Sequence, residues 1–222
     1  MHSLNTTSSL KDVVVFVHGL WMTGVDMFLL RRRVQRCGFH VHQFSYPSIR
    51  RGVFDNAAGL AAYIESLDGV TIHLVGHSLG GLVIRQCLHD LRGTMQLSRI
   101  GRAVTLGTPH QGSAVARRLG QNTWLGCLVG KSIGYGLDGD LPPWPADIPL
   151  GVIAGTMKIG VGQIFGGYPG RGDGTVAVEE ARIDAMTDFI CLPVTHTGMQ
   201  FSADVARQVC CFLRDGHFDH SH

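Results

Sequence analysis

The sequence is poor in charged residues, in aromatic residues and in long apolar runs. Charged side chains make up 16% of the 222 residues and aromatic ones 8%, whereas 45% of the residues are hydrophobic. That balance is typical of a compact globular chain with a sizeable core, and it excludes an intrinsically disordered one. No stretch reaches the roughly 18 consecutive apolar residues of a membrane-spanning helix. We therefore expect a single domain over residues 1–222 with no transmembrane segment.

Signs of export and of metal binding are also lacking. The N-terminal stretch MHSLNTTSSLKD contains no apolar core of a signal peptide. The cysteines show neither C-x-x-C pairing nor zinc-ligand spacing, which favours reduced and mostly buried thiols, although the pattern leaves a disulfide open. From these two observations we expect a cytoplasmic location. The six cysteines are Cys37, Cys87, Cys127, Cys191, Cys210 and Cys211.

The charge balance excludes a further class of partner. The formal net charge is +2, which is too small to indicate nucleic-acid binding. The basic cluster Arg31-Arg32-Arg33 with Arg36 is interpreted as the solvated face of a helix. We expect no nucleic-acid partner.

Apolar runs alternate with segments of helical periodicity along most of the chain. This alternation predicts a doubly wound, mostly parallel sheet with helices on both faces. A Gly-rich insert at about 113–149, beginning with a short helix at 113–119, interrupts the pattern and is predicted to form a cap or loop. The tail HFDHSH is expected to be frayed. Strands are predicted at 13–17, 39–44, 71–75, 100–106, 150–156 and 188–194, and helices at 27–37, 56–67, 79–91 and 199–213.

The most informative motif lies between the third strand and the following helix. It reads Gly76-His77-Ser78-Leu79-Gly80 and matches the G-x-S-x-G pattern of a nucleophile elbow. The strand-turn-helix context predicts that Ser78 is a nucleophile on a strained turn, with glycines where side chains would collide. His77 is expected to point away from the serine.

A serine nucleophile needs a general base and an acid that orients it. His196 follows the last predicted strand, and Asp173 follows the loop of the strand before it, so both are expected at the carboxyl edge of the sheet. The order Ser, Asp, His is the one expected for this architecture. His110 is the main rival base. The tail histidines are excluded because nothing is expected to hold them.

The oxyanion of the reaction needs two backbone N–H donors. One is predicted at Leu79, directly after the nucleophile. The other is predicted at Leu20, in the loop after the first strand, where Gly19 permits unusual backbone angles. His18 is expected to brace this loop by hydrogen bonds.

Separated segments of the chain together carry a family resemblance. They are VVVFVHGL, LVGHSLGGLV, LGTPHQGS, GDGTV and THTGM. In these segments the chain resembles the α/β-hydrolase superfamily, specifically small bacterial lipase-like serine esterases. The resemblance implies Ser78 as nucleophile, His196 as base, Asp173 as its partner, and Leu20 and Leu79 as oxyanion donors.

The resemblance has further implications for the site and its limits. The Thr-Pro-His-Gln-Gly-Ser segment at 108–113 looks like a lipase loop that supports the wall of the site, which gives His110 a structural role. The antiparallel strands at the N-terminal edge of the family's fold are missing, and the cap is short. No metal and no cofactor are expected.

The predicted activity is hydrolysis of a carboxylic ester through an acyl-enzyme. The partner is then a small-molecule or lipid acyl ester, with Trp21 and Met22 as substrate-binding candidates beside the alternative that they belong to the core. A thioesterase or an acyltransferase would use the same triad, and the sequence leaves these open, together with the oligomeric state. A non-catalytic binding protein is the rival of another class, and Arg171-Gly172-Asp173 matches an integrin-binding tripeptide.

Overall fold

Strands and helices alternate along the chain in the computed structural model, which describes residues 12–68, 71–114, 140–160 and 170–221. Short 3-10 turns lie at Val25–Met27, Leu97–Arg99 and Gly198–Gln200. The strands are β1 (Val13–Val17), β2 (His40–Phe44), β3 (Ile72–His77), β4 (Ile100–Leu106), β5 (Leu150–Gly155) and β6 (Asp188–Leu192). The helices are α1 (Phe28–Arg36), α2 (Val53–Glu65), α3 (Leu79–Asp90), α4 (Val178–Ala181) and α5 (Ala203–Asp215).

The six strands form one sheet in the order β2-β1-β3-β4-β5-β6, and every neighbouring pair is parallel. β1, β3 and β5 are buried along their whole length, which explains their continuous apolar sequences. One buried cluster joins the sheet to α2 and α3, and a second joins it to α1 and α5 on the opposite face. The predicted fold class, a parallel sheet covered by helices on both faces, is confirmed.

Helices α2 and α5 differ most from their predicted starts at 56 and 199, and a side-chain cap explains the start of α5. Helix α2 begins at Val53, directly after Gly52 in an extended conformation, and Val53 faces the core. Helix α5 begins at Ala203 because the Ser202 hydroxyl caps it by accepting the Val205 amide at 3.3 Å. A separate 3-10 turn, Gly198–Gln200, occupies the start of the predicted helix.

Most of the Gly-rich insert at 113–149 and of its predicted helix at 113–119 lies outside the described residues. The end of the insert is described, and there Trp144 is buried with its indole N–H donating to the Ile148 carbonyl at 2.8 Å. Trp144 therefore belongs to the core.

The cysteine prediction was wrong for one pair. Cys37, at the end of α1, forms a disulfide with Cys210 in α5. The two helices pack on the same face of the sheet, and this contact across 173 residues cannot be read from cysteine spacing. Disulfides persist mainly outside reducing compartments, so the cysteine argument for a cytoplasmic location no longer holds.

The prediction of a frayed tail was also wrong. The Phe218 side chain is 1% exposed and its ring lies 5.1 Å from that of Phe212, centroid to centroid. Gly151 in β5 makes room for it, since a Cβ there would lie 2.7 Å from the Phe218 ring. Beyond it, His220 Nε2 lies 3.0 Å from a carboxylate oxygen of Asp188.

Among the described helices, none has both the length and the apolar character that crossing a membrane requires.

Candidate active site

Ser78 lies on a strained turn between β3 and α3, as predicted. Its φ of 53° and ψ of −122° lie outside the regions that L-residues favour, and Trp21 is the only other described non-glycine residue with positive φ. The surrounding structure fixes this conformation. The Ser78 N–H donates to the Leu106 carbonyl at 2.9 Å, and the Thr108 hydroxyl donates to the Ser78 carbonyl at 2.9 Å.

The glycines around Ser78 are required by close backbone contacts. A Cβ on Gly76 would lie 2.6 Å from the Gly81 nitrogen, and one on Gly80 would collide with the Val17 carbonyl oxygen. The turn is therefore pressed between the end of β1 and the start of α3. The first free N–H groups of α3 consequently lie beside the serine.

Asp173 and His196 form a buried pair at the carboxyl edge of the sheet. Their side chains are 1% and 11% exposed, and His196 Nδ1 lies 2.7 Å from Asp173 Oδ2. The other carboxylate oxygen accepts the N–H groups of Thr175 and Val176 at 2.9 and 2.7 Å. Because Asp173 accepts at Nδ1, the Nε2 lone pair of the neutral imidazole remains available as a base.

The main chain reinforces this pair. The His196 N–H donates to the Asp173 carbonyl at 2.9 Å, so the two loops are joined directly. Gly107, after β4, approaches the pair so closely that a Cβ would lie 2.8 Å from Asp173 Oδ2. Within the described residues, no hydrogen bond joins Ser78 Oγ to the His196 ring. Such bonds are often long without ligand.

His77 was predicted to point away from Ser78, and the structure shows which groups its side chain contacts. Its Nε2 lies 3.0 Å from the carbonyl oxygen of His196, and the two rings lie 4.8 Å apart, centroid to centroid. His77 is the last residue of β3, where the chain turns, so strand alternation gives no signal for the direction of its side chain.

Leu20 and Leu79 are the predicted oxyanion donors. Leu79 is the first residue of α3, and Leu20 lies in the loop after β1. Within the described residues, neither backbone N–H donates to a protein acceptor. His18 Nδ1 donates to the Gly19 carbonyl at 2.9 Å, which directs the Leu20 N–H of the same planar peptide to the opposite side.

His18 braces the loop after β1, which carries Gly19 and Leu20 and is called the oxyanion loop below, as predicted. Its Nε2 accepts the Tyr46 N–H at 3.2 Å, the Tyr46 hydroxyl donates to the His18 carbonyl at 2.7 Å, and the two rings stack at 4.3 Å. Burial lowers the pKa of His18, which keeps the ring neutral and its two nitrogens in these roles.

The substrate-binding candidates differ in exposure. The Trp21 side chain is 50% exposed beside the loop. Met22 is partly buried, and its sulfur lies 3.4 Å from the Gln200 side-chain nitrogen. Of the two side chains, that of Trp21 is the more exposed.

His110, the rival base, is embedded in the wall of the site. It is 3% exposed, and its Nε2 pairs with the Thr105 hydroxyl at 3.0 Å. Burial, and then the charge of Arg85, lower the pKa of His110 to about 3. Arg85 also donates to the His110 carbonyl and to the Leu141 and Pro142 carbonyls, which ties this loop to the end of the insert.

Solved structures share this architecture. The mature lipase BlEst2 of Bacillus licheniformis matches with a TM-score of 0.72 at 22% identity, over 93% of this chain and 92% of that one. A metagenomic carboxyl esterase matches at 0.66 and 20% identity, over 85% of this chain and 65% of its own. The phospholipase PlaB of Legionella pneumophila matches with a TM-score of 0.58 at 18% identity, over 77% of this chain and 45% of that one. The likeness shows that the chain has the α/β-hydrolase fold, which the motifs predicted.

The sequence comparisons are less specific. No curated protein matches the chain. One family model matches residues 3–169, a range that includes Leu20 and Ser78 and ends before Asp173 and His196. The match covers well over half of the chain, and the protein therefore belongs to the family described as a domain of unknown function, DUF7379.

Proposed function

We propose that the protein hydrolyses carboxylic esters through an acyl-enzyme on Ser78. The observation that carries the proposal is the buried Asp173–His196 pair, which lies at the same sheet edge as a serine in a strained strand-to-helix turn. A buried carboxylate that orients a histidine beside a serine is the constellation of serine hydrolases on several unrelated folds. The lipase and esterase names of the structural neighbours point to the same reaction.

In the first half of the proposed reaction, His196 Nε2 takes the hydroxyl proton of Ser78 as Oγ attacks the acyl carbon. The negative charge that develops on the acyl oxygen is stabilised by the N–H groups of Leu20 and Leu79. The tetrahedral intermediate then expels the alcohol, which takes its proton from His196 and leaves the acyl group on Ser78.

In the second half, a water molecule attacks the acyl-enzyme. His196 removes a proton from the water, the same two N–H groups stabilise the second oxyanion, and the acid leaves as Ser78 regains its proton. Asp173 holds the imidazole in the required tautomer and stabilises its protonated form. The proposed steps use no metal and no cofactor.

The proposed substrate is a small-molecule or lipid acyl ester. Trp21, exposed in the loop after β1, is the residue we assign to its binding, together with the partly buried Met22. A panel of oxygen esters and thioesters, each with and without an added alcohol acceptor, separates an esterase from a thioesterase and from an acyltransferase.

The test is the Ser78→Ala variant assayed on p-nitrophenyl esters. We expect loss of turnover, because the covalent route is removed, while circular dichroism shows an unchanged fold. Ser98→Ala is the matched control, since the Ser98 hydroxyl donates to the Met95 carbonyl at the surface, and it is expected to keep wild-type turnover. Full activity of Ser78→Ala would refute the proposal.

A further inference from the structure

His77 is a buried polar side chain that the proposed mechanism does not use. It ends β3 directly before Ser78 and is fully buried. Its Nε2 lies 3.0 Å from the carbonyl oxygen of His196. Because a carbonyl oxygen only accepts hydrogen bonds, Nε2 must carry the proton and donate it to this contact.

The remaining surroundings of His77 fix its ring in one orientation. Its Nδ1 is buried and has no hydrogen-bond partner among the described residues. A Cβ on Gly19 would lie 3.0 Å from Nδ1 and 3.2 Å from the Ser78 Cβ, so the ring fills the space beside the oxyanion loop. Burial, and then the charge of His196, lower the pKa of His77 to about 3, which keeps the ring neutral at physiological pH.

The sheet topology shows why this contact matters. Ser78 follows β3 and His196 follows β6, and two strands, β4 and β5, lie between them. Neighbouring strands are spaced about 4.8 Å apart, so β3 and β6 are separated by about 14 Å. The loop after β6 must fold back across this gap to bring the imidazole to the serine.

We infer that His77 is a positioning residue, whose Nε2–H holds the main chain of His196 and thereby keeps the imidazole in reach of Ser78. The hydrogen bond ties the base-bearing loop to the residue next to the nucleophile, without relying on the intervening strands. The catalytic meaning of this tie rests on the proposed function. The tie itself is a property of the fold.

The test compares two substitutions of this side chain. His77→Met fills a similar volume without a donor, whereas His77→Gln carries an amide N–H near the position of Nε2. Displacement of a catalytic group by about 1 Å costs roughly 100-fold in rate, so we expect His77→Met to lower kcat by about 10- to 100-fold. KM is expected to change little, and His77→Gln is expected to recover most of the loss.

A spectroscopic readout separates positioning from general destabilisation. In the wild-type protein the His196 Nδ1 proton, hydrogen-bonded to Asp173, should give a low-field proton resonance. We expect this resonance to shift or broaden in His77→Met and to return in His77→Gln. His73→Met is the matched control, because His73 is a buried histidine at the other end of β3, and it should leave both kcat and the resonance unchanged.

The outcomes are distinguishable from those that test the proposed function. A folded His77→Met protein with wild-type kcat and an unchanged resonance overturns the inference. If the wild-type protein hydrolyses no ester, the proposed function fails, and the resonance still tests the tie because it needs no substrate. Should His77→Met fail to fold, His77→Asn replaces it, since the shorter amide cannot reach the His196 carbonyl.

Discussion

A histidine–aspartate contact lies near each end of strand β6. At the carboxyl end His196 pairs with Asp173 at 2.7 Å, and at the amino end His220 pairs with Asp188 at 3.0 Å. The two carboxylates have similar partners, since each also accepts two backbone N–H groups. Hydrogen-bond geometry alone therefore does not distinguish a catalytic pair from a structural one.

The surroundings distinguish them. The side chains of His196 and Asp173 are 11% and 1% exposed, whereas those of His220 and Asp188 are 55% and 18% exposed. The first pair lies at the edge of the sheet where the strained Ser78 and the oxyanion loop meet, and where the ends of parallel strands form sites. The second pair fastens the C-terminal tail to the start of β6. Position in the fold thus supports the proposed catalytic role of the pair Asp173–His196 and a structural role of the pair Asp188–His220.

The sharpest test of this comparison exchanges each histidine for glutamine. His196→Gln removes the general base, and we expect kcat to fall on the order of 10⁶-fold. His220→Gln breaks only an exposed contact, which typically contributes under about 1 kcal/mol to stability, and should leave kcat unchanged. Steady-state kinetics on a p-nitrophenyl ester measures both. Equal losses of kcat in the two variants would contradict the assignment of different roles to the two histidine–aspartate pairs.

Exchange of each aspartate for asparagine should give a smaller difference in kcat between the two pairs. Asp173→Asn can keep the N–H contacts of Thr175 and Val176 but no longer fixes the imidazole tautomer, so we expect about a 10⁴-fold loss in kcat. Asp188→Asn should lower thermal stability without changing kcat. An Asp173→Asn enzyme with more than a tenth of wild-type kcat would contradict the assigned role.

The sequence predicted the strands and the turn at Ser78 better than it predicted the long-range contacts around them. The β-branched run of β1 and the Gly-rich elbow are local signals, and the bounds of β1 and β4 matched the structure. Three other contacts join residues that are distant in sequence. They are the disulfide, the contact between His77 and His196, and the packing of Phe218 on Gly151. Such contacts depend on how α5 and β6 pack, and no local pattern encodes this packing.

Two buried histidines, His77 and His110, predict a loss of stability in acid. Burial lowers the pKa values of His77 and His110 to about 3, from 6.5 in the unfolded chain. As the pH falls below 6.5 the unfolded state binds protons first, so the free energy of unfolding should fall by up to about 1.4 kcal/mol per pH unit for each histidine. These two histidines should add no pH dependence to the free energy of unfolding well above pH 6.5. Urea titrations at several pH values test this, and a flat profile from neutral to acidic pH would contradict it.

Asp188, at the second pair, titrates in a lower pH range. Burial alone raises its pKa, but the hydrogen bonds from the Phe218 N–H, from His220 and from the Phe189 N–H outweigh it, so the pKa lies below its usual value. The stability that this carboxylate contributes is therefore present above the unfolded value of 3.8 and is lost only as the pH falls below it. The decline that begins near pH 6.5 thus belongs to the buried histidines.

The last prediction concerns the tail. Phe218→Ala removes a buried ring that packs on Phe212, and we expect the free energy of unfolding to fall by about 3 kcal/mol. Because the ring lies at the amino edge of the sheet, kcat should not change. Chemical denaturation and ester turnover measured on one preparation test both parts. A loss of kcat in the folded variant would link the tail to the site. It would contradict the purely structural role given to the amino end of β6.

The most direct test of the central claim is covalent labelling of the wild-type protein by a fluorophosphonate, followed by mass spectrometry of the intact protein and of its peptides. A nucleophilic Ser78 activated by His196 predicts one added probe per chain, located at Ser78 and absent from His196→Gln. Folded protein that takes up no probe, or takes it up at another residue, would contradict the account.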